Sequence, residues 1–320
     1  MKIPTGIPCV IFLVLTKSRS LQTAQHPTGK GNTRKNERIS AGLSALDFPL
    51  LNMKKILTIQ DLSCVGKCSL TVALPILSAM GISCSVLPTA VLSTHTAFPG
   101  PHIRPLTEDI LPVSEHLQRV GAEFDAILVG YLANPEQAEA VLEVMTAFDC
   151  PVILDPAMGD HGKLYSGITE ERVSAMRDLS SMAKVVLPNV TEACMLAGIP
   201  YQQQTDGQVL RTLCQALCRM KTEMVVVTGV SPAEGKTGFA GLQKGEGMFS
   251  YTADRREKSL HGTGDMFSAV FAGAYVLGRD PMESAELAAA FVERVIDNTP
   301  AATPFGAEFE TQLPWLWEQL

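Results

Sequence analysis

Two short runs of unbroken apolar residues, Val152–Leu154 and Val185–Leu187, and a third, Met224–Thr228, constrain this chain more than any other feature. A strand with no polar residue on either side of its pleat is buried on both faces, so it belongs to a sheet covered by helices above and below. The rest of the chain from Lys54 keeps that pattern, alternating strand-like runs at Ile56–Ile59, Ser83–Leu92 and Ala126–Gly130 with helical periods. Helices are expected over Leu70–Met80, about Thr107–Val120, from Asn134-Pro135 onward, over Met266–Leu277, Met282–Val295 and about Ala307–Gln319. Thr237–Leu242 and Gly247–Ala253 read as an antiparallel pair joined through Gly245-Glu246. The expected fold is therefore α/β, with a mostly parallel central sheet flanked by helices, in one domain over residues 53–320.

Polar residues close each buried run: Asp155-Pro156, Pro188-Asn189 and Thr228-Gly229. In open α/β sheets ligands bind beyond the C-terminal strand ends, so these positions are candidates for binding. Asp155 and Asp160 stand five residues apart around a Pro/Gly turn, where carboxylates can hold a hydrated Mg²⁺ that bridges phosphates, or can simply be solvated turn residues. Asn189-Val190-Thr191-Glu192 opens a helix; Asn189 reads as a cap, and Glu192 could act through water on the same ion. Thr228 offers a hydroxyl to a nucleotide phosphate, His95-Thr96 a ring and hydroxyl to a polar substrate, and Gly130-Tyr131 an aromatic to a flat ring.

The stretch Gly262-Thr263-Gly264-Asp265 precedes a Gly- and Ala-rich helical run. Free N–H groups at such a helix start can hold a phosphate, with Asp265 beside them as a base; alternatively Asp265 only caps a buried helix. There is no G-x-x-x-x-G-K-[ST] and no G-x-G-x-x-G after the first strand. Gly66-Lys67 resembles the tail of a P-loop, but Cys68 replaces Ser/Thr and no upstream glycine has the required spacing.

Net charge is −7, divided as +5 in residues 1–52 and −12 in the remainder, and an acidic body argues against a nucleic-acid partner. The eight cysteines are too few for a disulfide scaffold in 320 residues, and neither Cys64-x3-Cys68 nor Cys214-x3-Cys218 has zinc-site spacing. Reduced thiols suit a cytoplasmic location, and the apolar run at residues 7–15 is too short to span a membrane.

Taken in order, Ile59-Gln60, Ser93-Thr94-His95-Thr96, Gly130-Tyr131-Leu132, Asp155-Pro156-Ala157-Met158-Gly159, Pro188-Asn189-x2-Glu192 and Gly262-Thr263-Gly264-Asp265 resemble the pyridoxal/pyridoxamine (vitamin B6) kinases of the ribokinase-like superfamily. The resemblance covers essentially residues 53–320. It implies a three-layer sandwich that transfers phosphate from ATP, with Mg²⁺, to the 5′-hydroxymethyl group of pyridoxal, pyridoxamine or pyridoxine. By that resemblance Asp265 is the base and the amides of Gly262, Thr263 and Gly264 the anion hole. Asp155, Asn189 and Glu192 surround Mg²⁺ and the ATP phosphates, with Thr228 and Thr263 near the nucleotide. Thr96 and Tyr131 line the pyridine pocket, and a homodimer is implied. The departure follows Gln60, where many pyridoxal kinases carry Ser-His and this chain carries Asp61-Leu62. Asp61 could accept from a ring hydroxyl or nitrogen, or pair with the amine of pyridoxamine. The rival readings are a hydroxymethylpyrimidine kinase of thiamine synthesis and a non-catalytic B6-binding protein.

Residues 16–45 are polar, basic and rich in Ser, Thr, Gly and Asn, the composition of a disordered segment, and Met53-Lys54-Lys55 begins the first convincing strand. Residues 1–52 are expected to be an upstream extension, with Met53 the natural start. Mass spectrometry of the native N-terminal peptide checks this: recovery of any peptide from residues 1–52 would refute it.

Overall fold

The computed structural model describes residues 53–218, 221–300 and 303–320; the extension expected over residues 1–52 lies outside them. The described chain opens with β1 (Lys55–Ser63), α1 (Leu70–Ala79), β2 (Ser83–Leu92), β3 (Ile103–Pro105), α2 (Thr107–Arg119), β4 (Ala126–Val129), α3 (Pro135–Ala147) and β5 (Val152–Leu154). A small hairpin, β6 (Gly159–Asp160) and β7 (Lys163–Leu164), precedes α4 (Glu170–Met182), β8 (Val185–Val186), α5 (Val190–Ala197) and α6 (Gly207–Leu217). There follow β9 (Met224–Val230), β10 (Lys236–Gln243), β11 (Gly247–Asp254), α7 (Thr263–Val276), α8 (Pro281–Asn298), a 3-10 turn at Glu310–Gln312 and α9 (Leu313–Glu318).

The main sheet runs β11-β10-β9-β8-β5-β4-β1-β2-β3. Its six central strands, β9 to β2, are mutually parallel, and β3, β10 and β11 join antiparallel at the edges. The uninterrupted apolar runs are explained residue by residue. Leu57, Ile127, Val129, Leu154, Val186 and Val225 enter one core, against α2 to α6. Their chain neighbours Ile56, Ala126, Leu128, Ile153, Val185 and Val226 enter the other, against α1, α7, α8 and α9. Each of these apolar residues has a hydrophobic destination on one face or the other, as the three-layer arrangement requires.

Three of the element boundaries that differ from the expectation do so for a clear local reason. First, β1 continues past Ile59 to Ser63, because Leu62 and Ser63 still pair with Val91 and Leu92 after the ladder slips by one residue. Asp61 and Ser63 turn inward while Leu62 turns out, a period of two that polar side chains disguise. Second, α7 begins at Thr263 rather than Met266, since Gly262 supplies a left-handed cap with φ of 85°. Third, Ala307 and Phe309 are buried core residues outside any α-helix, and α9 starts only at Leu313 with Pro314 in its first turn. The thiol pair Cys64 and Cys68 lies on the loop before α1, not on a helix; Cys64 is exposed and Cys68 buried.

Ile153 is fully buried in the middle of the sheet. Ile153→Ala should cost roughly 2–5 kcal/mol in urea unfolding, the usual range for emptying such a site, whereas an unchanged midpoint would contradict the packing described.

Candidate active site

A cavity of about 660 Å³ opens beyond the C-terminal ends of the parallel strands, large enough for a small ring and part of a nucleotide. Its centre is the start of α7. The first ladder bond of that helix runs from Met266 N to Gly262 O at 3.0 Å, so the preceding amides, through Gly264 and Asp265, are not consumed by the ladder. They leave the positive end of the helix facing the cavity. Gly262 is required twice over: its φ is positive, and a Cβ there would run into the carbonyl oxygen of Lys67. Thr263 contributes its amide, while its hydroxyl donates back to Leu260 O at 3.2 Å.

Asp265, in the first turn of α7, lies partly buried in the cavity wall. Burial and the nearby charges of Asp155 and Asp61 push its carboxyl from the usual 3.8 up to about 8, although the Ser69 amide donates to it. Ser69 also hydrogen-bonds Asp61 through its hydroxyl. It does so from a backbone φ of 48°, uncommon for a residue with a side chain, at the N-cap of α1. A single strained serine thus ties the end of β1 to the start of α7. Nothing in the residue pattern marks it beyond its place just before a helix.

On the β5 side of the cavity, Asp155 follows the strand and is in hydrogen-bond contact with Ser268 of α7, one turn beyond Asp265. Burial raises Asp155 to about 6. Glu192 is buried beside it and raised well above the ordinary range by burial and by Asp155. Both Glu192 oxygens accept backbone N–H groups, from Asn189 at 2.9 Å and from Met158 at 3.0 Å. Asn189 completes a capping box by accepting from Glu192 N at 3.0 Å, and its amide donates to Gly159 O at 2.8 Å. Asn189 and Glu192 therefore clamp the Asp155–Gly159 turn onto α5. Among the described residues no three acidic, His or Cys side chains converge as a ready-made metal cage. Two neighbouring buried acids with no basic partner do fit a hydrated Mg²⁺, which relies on waters and phosphates for the rest of its shell.

Asp160 is placed differently: it is exposed on the β6–β7 hairpin, where it accepts from His161 N at 2.7 Å, and it reaches only the cavity rim. The same segment carries Tyr165, which sequence reading passed over. Burial and the charges of Glu192, Asp160 and Asp155 raise its phenol, keeping it a hydrogen-bond donor toward the cavity. Thr228 lines the cavity from the end of β9, just before Gly229 with φ of 67°. Arg255, Arg256 and Lys258 enter the lining from the segment between β11 and α7.

On the opposite side stand Asp61, His95, Thr96 and Tyr131. His95 is buried, and its Nε2–H donates to Pro304 O at 3.2 Å while its ring lies 4.1 Å from that of His261. Burial lowers its pKa, favouring the neutral ring, which packs over Gly66. Tyr131 is fixed from behind by Arg172, whose guanidinium sits 5.0 Å from the ring centroid. Every residue singled out from the sequence thus borders one cavity, with acids and a helix N-terminus at its centre.

The sequence profile of the phosphomethylpyrimidine kinase family matches residues 76–309 of this chain. The pyridoxine/pyridoxal/pyridoxamine kinase of Bordetella pertussis is 29% identical, over 77% of this chain and 90% of that protein. Among solved structures, one from Bacteroides thetaiotaomicron, provisionally described as a phosphomethylpyrimidine kinase and crystallised with pyridoxal, has a TM-score of 0.79 at 32% identity, covering 82% of this chain and 96% of that one. The pyridoxal kinase of Lactobacillus plantarum has a TM-score of 0.75 at 31% identity, covering 83% and 97%.

The raised carboxyl of Asp265 has a thermodynamic consequence. In the unfolded chain it ionises near 3.8, in the folded protein near 8, so the folded state binds the extra proton in that window and loses stability as pH rises through it. Without ligands, Asp265→Asn should melt higher than the parent at pH 8, with the difference shrinking toward pH 4. An equal melting temperature at both pH values would contradict the environment described.

Proposed function

Because the chain belongs to the phosphomethylpyrimidine kinase family, and with it to the ribokinase-like fold shared by the pyridoxal kinases, we propose that it is a vitamin B6 kinase. It transfers the γ-phosphoryl group of ATP to the 5′-hydroxymethyl group of pyridoxal, pyridoxamine or pyridoxine, the salvage route to the 5′-phosphate. The observation that carries this reading is Asp265: a carboxyl with a raised pKa at a helix N-terminus, between an acceptor side lined by Asp61, Thr96 and Tyr131 and a nucleotide side lined by Asp155, Thr228 and Lys258.

Phosphoryl transfer asks a protein chiefly for positioning and charge stabilisation. The acceptor ring lies against Tyr131, with its hydroxymethyl group toward Asp265. A base with a pKa near the working pH is well matched to taking the hydroxyl proton as the oxygen attacks the γ-phosphorus, and the leaving group is ADP. The amides of Gly262, Thr263 and Gly264 face the charge that grows on the transferred group. Asp155, with Glu192 acting through water, would hold Mg²⁺, which offsets the phosphate charge. Asn189 and Glu192 keep the Asp155 turn in register, and Tyr165 donates from the hairpin rim.

A cytoplasmic setting belongs to the same proposal and agrees with the described cysteines being free thiols. No described helix is long and apolar enough to cross a membrane. A homodimer is also proposed, measurable by sedimentation. The rival is the hydroxymethylpyrimidine kinase reading, which the family description, naming a pyrimidine kinase, keeps open.

ADP release measured with purified protein against pyridoxal, pyridoxamine, pyridoxine and hydroxymethylpyrimidine separates the readings. Turnover confined to hydroxymethylpyrimidine would overturn the B6 assignment, and binding without turnover would mark a carrier. Asp265→Asn should lower kcat by roughly two to four decades with the fold kept; near-parental turnover would remove Asp265 as the base.

A further inference from the structure

The charge around the cavity is lopsided. All three lining lysines and arginines, Arg255, Arg256 and Lys258, come from the segment after β11. The lining contributed by residues 61–131 contains no lysine or arginine at all, and Asp61 is its one acidic side chain. Nearby cations are committed elsewhere. Lys67 pairs with Glu310 at 2.7 Å. Arg172 lies behind the Tyr131 ring and donates to the carbonyls of Leu132 and Ala133. His95 spends its Nε2–H on Pro304 O, and burial disfavours its charged form.

Asp61 itself is 3% exposed and accepts from Ser63 Oγ at 3.2 Å and from the Ser69 hydroxyl. Two hydroxyls orient the carboxyl, yet neither supplies a countercharge. Burial favours its neutral form in the free protein. A buried acid beside a second acid, with no protein cation, gains most from a ligand that brings the positive charge itself.

We infer that Asp61 makes the acceptor side selective for a ring bearing a protonated primary amine beside the reacting hydroxymethyl group, which among the B6 vitamers is pyridoxamine, over the neutral hydroxymethyl analogue pyridoxine. The inference rests on the reading of this chain as a B6 kinase. The amine donates a charge-assisted hydrogen bond to the Asp61 carboxylate, supplying the positive charge that the protein does not. Pyridoxine has the same ring and the same reacting group, but offers Asp61 only a neutral hydroxyl. Discrimination is then a difference between two acceptors at one site, set by the charge of Asp61 rather than by its size.

The test compares kcat/KM for pyridoxamine and pyridoxine at neutral pH in the parent protein, in Asp61→Asn, which keeps shape and removes charge, and in Asp61→Ser. The parent should favour pyridoxamine at least tenfold, and the pyridoxamine-to-pyridoxine ratio should fall at least tenfold in each folded variant. A ratio unchanged by both substitutions, or an equal loss on both substrates, would overturn the inference. Should neither variant fold by circular dichroism, the parent ratio decides, and equal use of the two acceptors is the overturning result. A parent protein inactive on every B6 vitamer would instead defeat the underlying reading, and this inference with it.

Discussion

Mutual repulsion among buried acids is the condition that the rest of this site has to meet. Asp61, Asp155, Asp265 and Glu192 border one cavity, and burial pushes each of them upward in pKa. The fold offsets this with backbone amides and hydroxyls rather than with cations. Ser69 serves Asp61 and Asp265, Ser268 serves Asp155, and the amides of Met158 and Asn189 serve Glu192. Neutral donors fix the geometry of an acid without cancelling its charge, so the site stays receptive to whatever positive charge a substrate or ion brings.

That arrangement depends on backbone approaching backbone. Gly262 permits the loop before α1 to lie directly on the start of α7, and the left-handed cap at the same residue turns the helix amides toward the cavity. Ser69 accepts an unfavourable backbone angle on the facing side of the contact. Strain at such a place is stable only when surrounding packing over-determines it, and here the buried α1–α7 contact and the two-faced sheet supply that packing.

The layers of the fold were legible because residues such as Ile153 and Val226 leave the period of two nothing polar to show, and the loop that opens α7 onto the cavity was legible because glycines and an aspartate cluster in front of an apolar helix. The boundaries were harder to read. Asp61 and Ser63 belong to a strand yet look like a loop, since their inward faces meet a cavity instead of a core. Ser69, Ser268 and Tyr165 left almost no trace: Ser69 and Ser268 act on partners more than 100 positions away, and Tyr165 is a lone aromatic in a loop whose sequence does not show the acids beside it. Glu192 stood out in the sequence as an acid at a helix start, while the structure adds the clamp it forms with Asn189, which hydrogen bonds rather than residue type carry.

The wall behind His95 is built from widely separated parts of the chain. Lys67 N donates to Phe305 O, Pro304 O receives the His95 ring, and Lys67 and Glu310 pair across 243 positions of sequence. Contacts of that span carry a high closure entropy and form late in folding. The sheet can assemble before residues 303–310 dock, but the wall of the pocket cannot. A chain in which this last closure has not formed therefore has the layers of the finished protein and lacks its binding wall, so ligand capture waits on the docking of residues 303–310.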